Sequence, residues 1–271
     1  MTAISLTIDT PDLAQHYETV SADRQFRHGT ELLERLGLSK GQRVLDVGCG
    51  TGALAEYAAS VVGSIGAVVG IDPLPLRIEI ARKRASAQLS FKVGDANRLD
   101  EFAPATFDVT YLNAVFHWLP EKLRPLTGIF RLLVAGGRLG ISTGAKNQLN
   151  TIQEVRKRVL SREPYRTQVN AEQGFAYHVS DTELRELLLR AGFRIDVLEL
   201  VPHATHHPSA EAALQFAQAS SFGNYLGRIP AALRSAAERE ILEEFERLRD
   251  AHGVPQRGTR IVAVARKPES H

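Results

Sequence analysis

The chain predicts an α/β fold, a mostly parallel sheet wrapped by helices, with further helical segments inserted late. Apolar runs of strand length alternate with stretches whose apolar residues recur at helical spacing, through residues 40 to 201. The run Val44 to Val47 breaks into three alternating glycines, Gly48, Gly50 and Gly52, before a helical pattern opens at Ala53. A final run from Thr259 to Arg266 is rich in Val and Ile and closes the pattern.

Each element follows in order. Pro11 to Leu38 spells two short helices leading into strand 1, Val44 to Val47. Leu54, Tyr57, Ala58, Val61 and Val62 mark the helix after the glycine turn, and Gly63 ends it. Gly66 to Asp72 predicts strand 2, and Leu74 to Ala85 the next helix. Ser90 to Val93 is strand 3 and Phe107 to Leu112 strand 4. Leu123, Leu126, Phe130 and Leu133 give a helix before Gly136 and Gly137, with strand 5 from Arg138 to Thr143. Ser180 and Glu183 form a capping box opening a helix that ends at Gly192. Phe193 to Leu200 alternates as strand 6, and Thr259 to Arg266 is the last strand. An amphipathic helix is expected from Ala231 to about His252, while His203, His206 and His207, flanked by Pro202 and Pro208, are expected on a solvated loop with no metal role.

Strand, glycine turn and helix together make a site for a nucleotide-type ligand. Residues 48–53 satisfy the dinucleotide pattern G-x-G-x-x-G/A, and Asp72 lies 20 residues beyond Gly52, where a ribose-binding acid belongs. An NAD(P)-dependent oxidoreductase is therefore one reading. Against it, the third glycine falls at Gly52, and Asp46 would set a negative charge beside a pyrophosphate. The chain also has no Tyr-x-x-x-Lys pair. Asp46, Asp72 and Asp95, each at the end of an apolar segment, favour a ligand poor in phosphate and rich in donors. An amine, ribose hydroxyls and an exocyclic amino group describe S-adenosylmethionine. A cofactor-binding regulator without a reaction is the third reading.

Residues 44–53 resemble motif I of class I S-adenosylmethionine-dependent methyltransferases. The resemblance continues in order through Ile71 to Pro73, Gly94 to Ala96, Phe107 to Val109 and Leu133 to Leu139, covering about residues 25 to 200. Asn113 to Pro120 resembles the segment after strand 4 in the trans-aconitate and malonyl-carrier O-methyltransferase group, and Phe222 to Pro230 is similar to a stretch of the same group. The resemblance implies a Rossmann-like seven-stranded sheet of order 3-2-1-4-5-7-6, with the last strand antiparallel, helices on both faces and a helical cap. It also implies one methyltransferase domain over residues 1–271, with its sheet core at about 40–144, 180–201 and 258–267. Cap elements fall at about 11–38, 145–179 and 206–257 and are expected to close over the acceptor.

On this reading Gly48, Cys49, Gly50 and Gly52 shape the cofactor turn, and Asp46 orients it and reaches toward the methionine amino group. Asp72 accepts from both ribose hydroxyls, with Pro73 opening the next helix; Gly94, Asp95 and Ala96 meet the adenine. Asn113 and Val115 line the pocket, and Tyr17 closes over the methionine end. Cys49 has no acid–base partner nearby and is not expected to act as a nucleophile. His117, after strand 4, is the candidate proton-transfer residue, with a packing role beside Trp118 as its alternative. Trp118, Tyr177, His178, Phe222 and Tyr225 are candidates for the acceptor pocket, and Arg166 and Arg228 for binding an acidic acceptor. The product would be S-adenosylhomocysteine.

Composition bounds the partners. Lys and Arg number 33 against 31 Asp and Glu, so no broad attraction to nucleic acid is expected. One cysteine excludes an internal disulfide and a cysteine-based zinc cluster. No apolar run approaches the ~18 residues that would span a bilayer, and Met1 to Thr10 lacks a secretory pattern. The expectation is a cytoplasmic monomer or homodimer with a small-molecule acceptor and no membrane or nucleic-acid partner.

Overall fold

The computed structural model describes residues 10–16, 22–146, 148, 150–169, 176–221 and 223–269. Its contacts divide the chain into two compact units. The sheet unit comprises residues 22–145, 177–201 and 260–271; the second comprises 1–21, 146–176 and 202–259.

Seven strands form one sheet: β1 (Arg43–Val47), β2 (Ala67–Asp72), β3 (Leu89–Val93), β4 (Phe107–Asn113), β5 (Leu133–Gly144), β6 (Arg194–His207) and β7 (Val254–Arg266). Their order is β3-β2-β1-β4-β5-β7-β6. The first five pair parallel, and β7 runs antiparallel to β5, from Arg138 opposite Arg266 to Gly144 opposite Arg260. The implied topology is the one observed. It places a reversal of strand order between β1 and β4, where α/β sheets bind ligands.

Alternation along each strand feeds two cores. Leu45 and Val47 of β1, Leu139 and Ile141 of β5, and Ile261, Ala263 and Ala265 of β7 bury one face, against Leu126 and Ile129 of α5 (Leu123–Leu132) and Leu184 and Leu188 of α7 (Asp181–Arg190). Val44, Val109, Tyr111, Val262 and Val264 bury the other. That face packs on α2 (Ala22–Leu36), α3 (Ala53–Val62) and α4 (Pro75–Ala81). α7 begins with the expected capping box: Ser180 Oγ accepts from Glu183 N at 3.0 Å and Glu183 accepts from Ser180 N at 2.8 Å.

The second unit has its own core. Val155 and Val159 of α6 (Thr151–Leu160), Ala213 and Phe216 of α8 (Ala210–Ser220), Leu226 of α9 (Asn224–Gly227), and Ala237, Ile241 and Phe245 of α10 (Ala231–Leu248) are buried together. α1 (Pro11–His16) belongs to this unit.

Several boundaries differ from the sequence expectation: β7 starts earlier, at Val254, α4 covers only Pro75–Ala81, and three further differences bear on the fold. β5 starts at Leu133, extending back through Gly136 and Gly137 across an irregularity in its pairing with β4. α10 stops at Leu248, before a turn in which Asp250 and Gly253 bond to each other's backbone. The third is a correction: His203, His206 and His207 lie on β6, not on a loop. β6 is the edge strand, so Pro202 removes a donor the ladder does not need. Side-chain bonds secure the extension, His206 Nε2 with Asp250 at 3.2 Å and buried His207 with Gln256.

Candidate functional site

The glycine turn is built by backbone geometry that side chains resist. Gly48, Gly50 and Gly52 have φ of 80°, 55° and 86°, in the left-handed region. Gly48 N and Cys49 N both donate to Ile71 O, at 2.7 and 2.9 Å, tying the turn to the end of β2. Gly52 caps α3. A Cβ on Gly48 would lie 2.3 Å from Val115 Cγ2, so Val115 is packed directly onto the turn. Ala114 makes this possible with φ 59°, a strained left-handed residue that turns the chain out of β4.

Three acidic side chains were expected around this turn. Asp72, at the end of β2, accepts from Gly50 N at 3.0 Å on one oxygen and from Leu74 N at 2.9 Å on the other. It therefore holds the glycine turn and opens the next helix at once. Asp46 is buried opposite Tyr111, whose hydroxyl donates to it at 2.8 Å. Burial, with Asp72 nearby, pushes its carboxyl up to about 8 despite the Tyr111 bond. Asp95 is half-buried and accepts from the backbone and side-chain nitrogens of Asn97, at 2.8 and 3.0 Å. Gly94 N bonds to Asp72 O at 3.0 Å, and Ala96 is buried beside it. Pro73 follows Asp72 on the rim. Burial and the two aspartates raise the Cys49 thiol, which keeps it protonated and unreactive.

Asn113, at the end of β4, donates through Nδ2 to Gln25 O of α2 at 2.9 Å. Its Oδ1 is buried with no hydrogen-bond partner among the described residues, an acceptor otherwise unspent. Tyr17 and Phe222 lie outside the described residues.

A second cluster forms beyond β4 and β5. His117 sits in a 3-10 turn, Phe116 to Trp118. Its ring stacks on His178 with centroids 5.2 Å apart and tilts against Trp118 at 5.0 Å. Tyr177 N donates to His117 O at 2.7 Å, which brings Trp118, Tyr177 and His178 together around His117. His117 Nδ1 lies 3.0 Å from Thr143 Oγ1 and 3.4 Å from Gly144 N; His178 Nδ1 lies 3.0 Å from Gly144 O. Burial holds both imidazoles below the usual histidine range, with Lys122 adding to the shift.

Lys122 gains its place only from the structure. It is half-buried, donates to Phe116 O at 2.5 Å, and burial alone lowers its ammonium to about 7. No carboxylate pairs with it among the described residues. Its signal is faint in the sequence: a single lysine in Pro120 to Leu123, before a helix. Tyr225 belongs to the second unit, where it is buried with its hydroxyl donating to Ile152 O at 2.9 Å. In that unit Arg166 pairs with Glu163 at 2.8 Å and Arg228 Nε donates to Asn224 at 3.1 Å.

A parallel sheet with a glycine turn at its switch point and acceptor-rich strand ends defines a nucleoside-binding α/β enzyme. Residues 38–192, more than half the chain, match the family described as a methyltransferase domain, and the chain belongs to that family. It is 29% identical over 262 residues to trans-aconitate 2-methyltransferase of Variovorax paradoxus, covering 94% of this chain and 95% of that one. Among solved structures, a SAM dependent methyltransferase from Aquifex aeolicus superposes with a TM-score of 0.51 at 22% identity, covering 70% of this chain and 91% of that one. The (4+2)-cyclase SpnF superposes at 0.59 with 23% identity, covering 90% and 82%. The last two share the fold.

The enzyme is an S-adenosylmethionine-dependent methyltransferase. Its residues fit that cofactor. The orphaned Asn113 Oδ1 and the Asp46 and Asp72 carboxyls are acceptors, suited to an ammonium and hydroxyls and not to a diphosphate.

Proposed function

We propose that the enzyme methylates a small organic acid. The observation that carries this reading is Lys122, an ammonium withdrawn from water with no acidic partner among the described residues. Its Nζ donates to Phe116 O and sits 4.7 Å from the centre of that ring, but neither group is charged; a carboxylate-bearing acceptor supplies the anion that favours the charged ammonium. The similarity to a trans-aconitate methyltransferase along 94% of the chain supports the same acceptor class.

S-adenosylmethionine supplies a methyl group already activated on a sulfonium. The chain's own residues then bind and align. Asp72 accepts from the ribose hydroxyls, Asp95 and Ala96 meet the adenine, and Asp46 with Asn113 faces the methionine ammonium. Val115 packs the cofactor turn, while Trp118, Tyr177 and His178 wall the acceptor. Holding both reactants in line and excluding water provides most of the rate.

The test is transfer of tritiated methyl from S-adenosylmethionine to a panel of acceptors: trans-aconitate, 4-hydroxybenzoate and acetoacetate, against neutral phenols, amines, nucleic acid and protein. Preferential labelling of acids is the expected result. Labelling confined to neutral or macromolecular acceptors contradicts it.

A further inference from the structure

Two donors from β5 converge on one edge of the His117 ring, and they decide what the other edge can do. Gly144 N–H can only donate, so the His117 Nδ1 it meets at 3.4 Å carries a lone pair. The Thr143 hydroxyl, 3.0 Å from the same atom, then donates as well. Burial, with His178 and Lys122 adding to it, holds the imidazole well below the usual histidine range, so the ring is neutral at neutral pH. A neutral ring with its lone pair on Nδ1 bears its one proton on Nε2. No hydrogen bond meets that Nε2 among the described residues. His117 is therefore built to donate. The proton-transfer role expected for it from the sequence would need the tautomer that both β5 donors oppose.

A second donor belongs to the same segment. Lys122 Nζ donates to the carbonyl of Phe116, the residue before His117, and its charge acts on the His117 imidazole. Neither donor meets a carboxylate among the described residues. His178 stacks on the His117 ring with centroids 5.2 Å apart and Trp118 tilts against it at 5.0 Å. Packing and the two β5 bonds thus fix the ring's orientation, so little rotamer freedom is lost when a ligand meets it. All of these residues lie in the sheet unit.

We infer that His117, through Nε2–H, is a second donor to the acceptor's carboxylate beside the Lys122 ammonium, and that it removes no proton during the transfer. This rests on the organic-acid reading above and deepens it, since it names the pair that recognises the acid. A carboxylate has two oxygens, one for each donor. A bond from an N–H to a charged oxygen is stronger than one between neutral groups, so a neutral imidazole adds affinity and direction without adding a second cation.

The test has two arms on the full chain. Nitrogen-15 spectra of imidazole-labelled wild type with S-adenosylhomocysteine bound read the tautomer directly, whatever the acceptor. Protonated Nε2 and bare Nδ1 on His117 are expected, with the Nε2 proton moving downfield when trans-aconitate is added; a protonated Nδ1 overturns the inference. The second arm is kinetic, with S-adenosylmethionine and trans-aconitate. His117→Gln carries an amide N–H toward the place of Nε2, and His117→Leu carries no donor. His117→Leu should raise KM for trans-aconitate by about 10–100-fold, with a smaller effect on kcat, and His117→Gln should recover most of the loss. Affinity for S-adenosylhomocysteine should be the same in all three proteins. An equal loss of kcat in both variants at unchanged KM marks a proton acceptor and overturns the inference, as does an unchanged KM in His117→Leu. Either result leaves the organic-acid reading intact, whereas wild type that labels only neutral acceptors overturns that reading and this inference with it.

Discussion

Asp46 lies opposite Tyr111 across the β1–β4 pair, where both side chains are withdrawn from water. Burial raises its carboxyl to about 8, with Tyr111, Asp72 and Cys49 as the ionisable groups around it. The native state thus holds a proton that the unfolded chain loses in the ordinary carboxylate range. This residue's contribution to stability is therefore full below that range and is lost as pH rises toward about 8. Asp46→Asn is neutral and still accepts from Tyr111. The ligand-free variant is expected to show a flatter dependence of Tm on pH between about 4 and 8 and to be at least as stable as wild type at the upper end. Its affinity for S-adenosylmethionine should fall. Thermal melts across that range, with and without cofactor, check both; an unchanged slope contradicts the burial argument.

At the scale of elements, most of the sheet is legible in the chain itself. Val44, Leu45 and Val47 are apolar because both faces of β1 are buried, and Gly48 and Gly52 are glycine because the turn needs left-handed φ. The Ser180–Glu183 capping box is equally legible, since it is local chemistry. What escapes the sequence is long-range. Nothing marks Ala114 as left-handed or pairs Tyr111 with Asp46. Lys122 and Gly144 acquire meaning only when β4 and β5 lie side by side. The extension of β6 through Pro202 is hidden for the same reason, because only the sheet order makes β6 an edge. Gly48→Ala tests the turn itself. Its φ of 80° and the contact with Val115 both oppose a Cβ, at roughly 1–3 kcal/mol for the backbone alone. Calorimetry should show loss of S-adenosylhomocysteine affinity by at least tenfold while far-ultraviolet dichroism stays native; unchanged affinity argues against the role given to the turn.

For the whole molecule, the division of labour is between a sheet that fixes the cofactor turn and a polar cluster at the ends of β4 and β5. The sheet unit contains both, on residues 22–145 and 177–201. Its chemistry asks little of general electrostatics, consistent with a net charge of +2 spread over 271 residues. Specificity then falls to few groups, and Lys122 is the cation on which the organic-acid reading depends. Burial sets its ammonium near 7, so its charge is lost just above neutral pH and any anion it holds must loosen there. The most direct measurement is titration of trans-aconitate into the S-adenosylhomocysteine-bound enzyme, below and above pH about 7, for wild type and Lys122→Gln. Wild type should bind more weakly as pH rises through that value, and the variant should bind weakly throughout with no such trend. Equal affinity and an equal pH trend in both proteins, or no binding by wild type at any pH, would contradict the account.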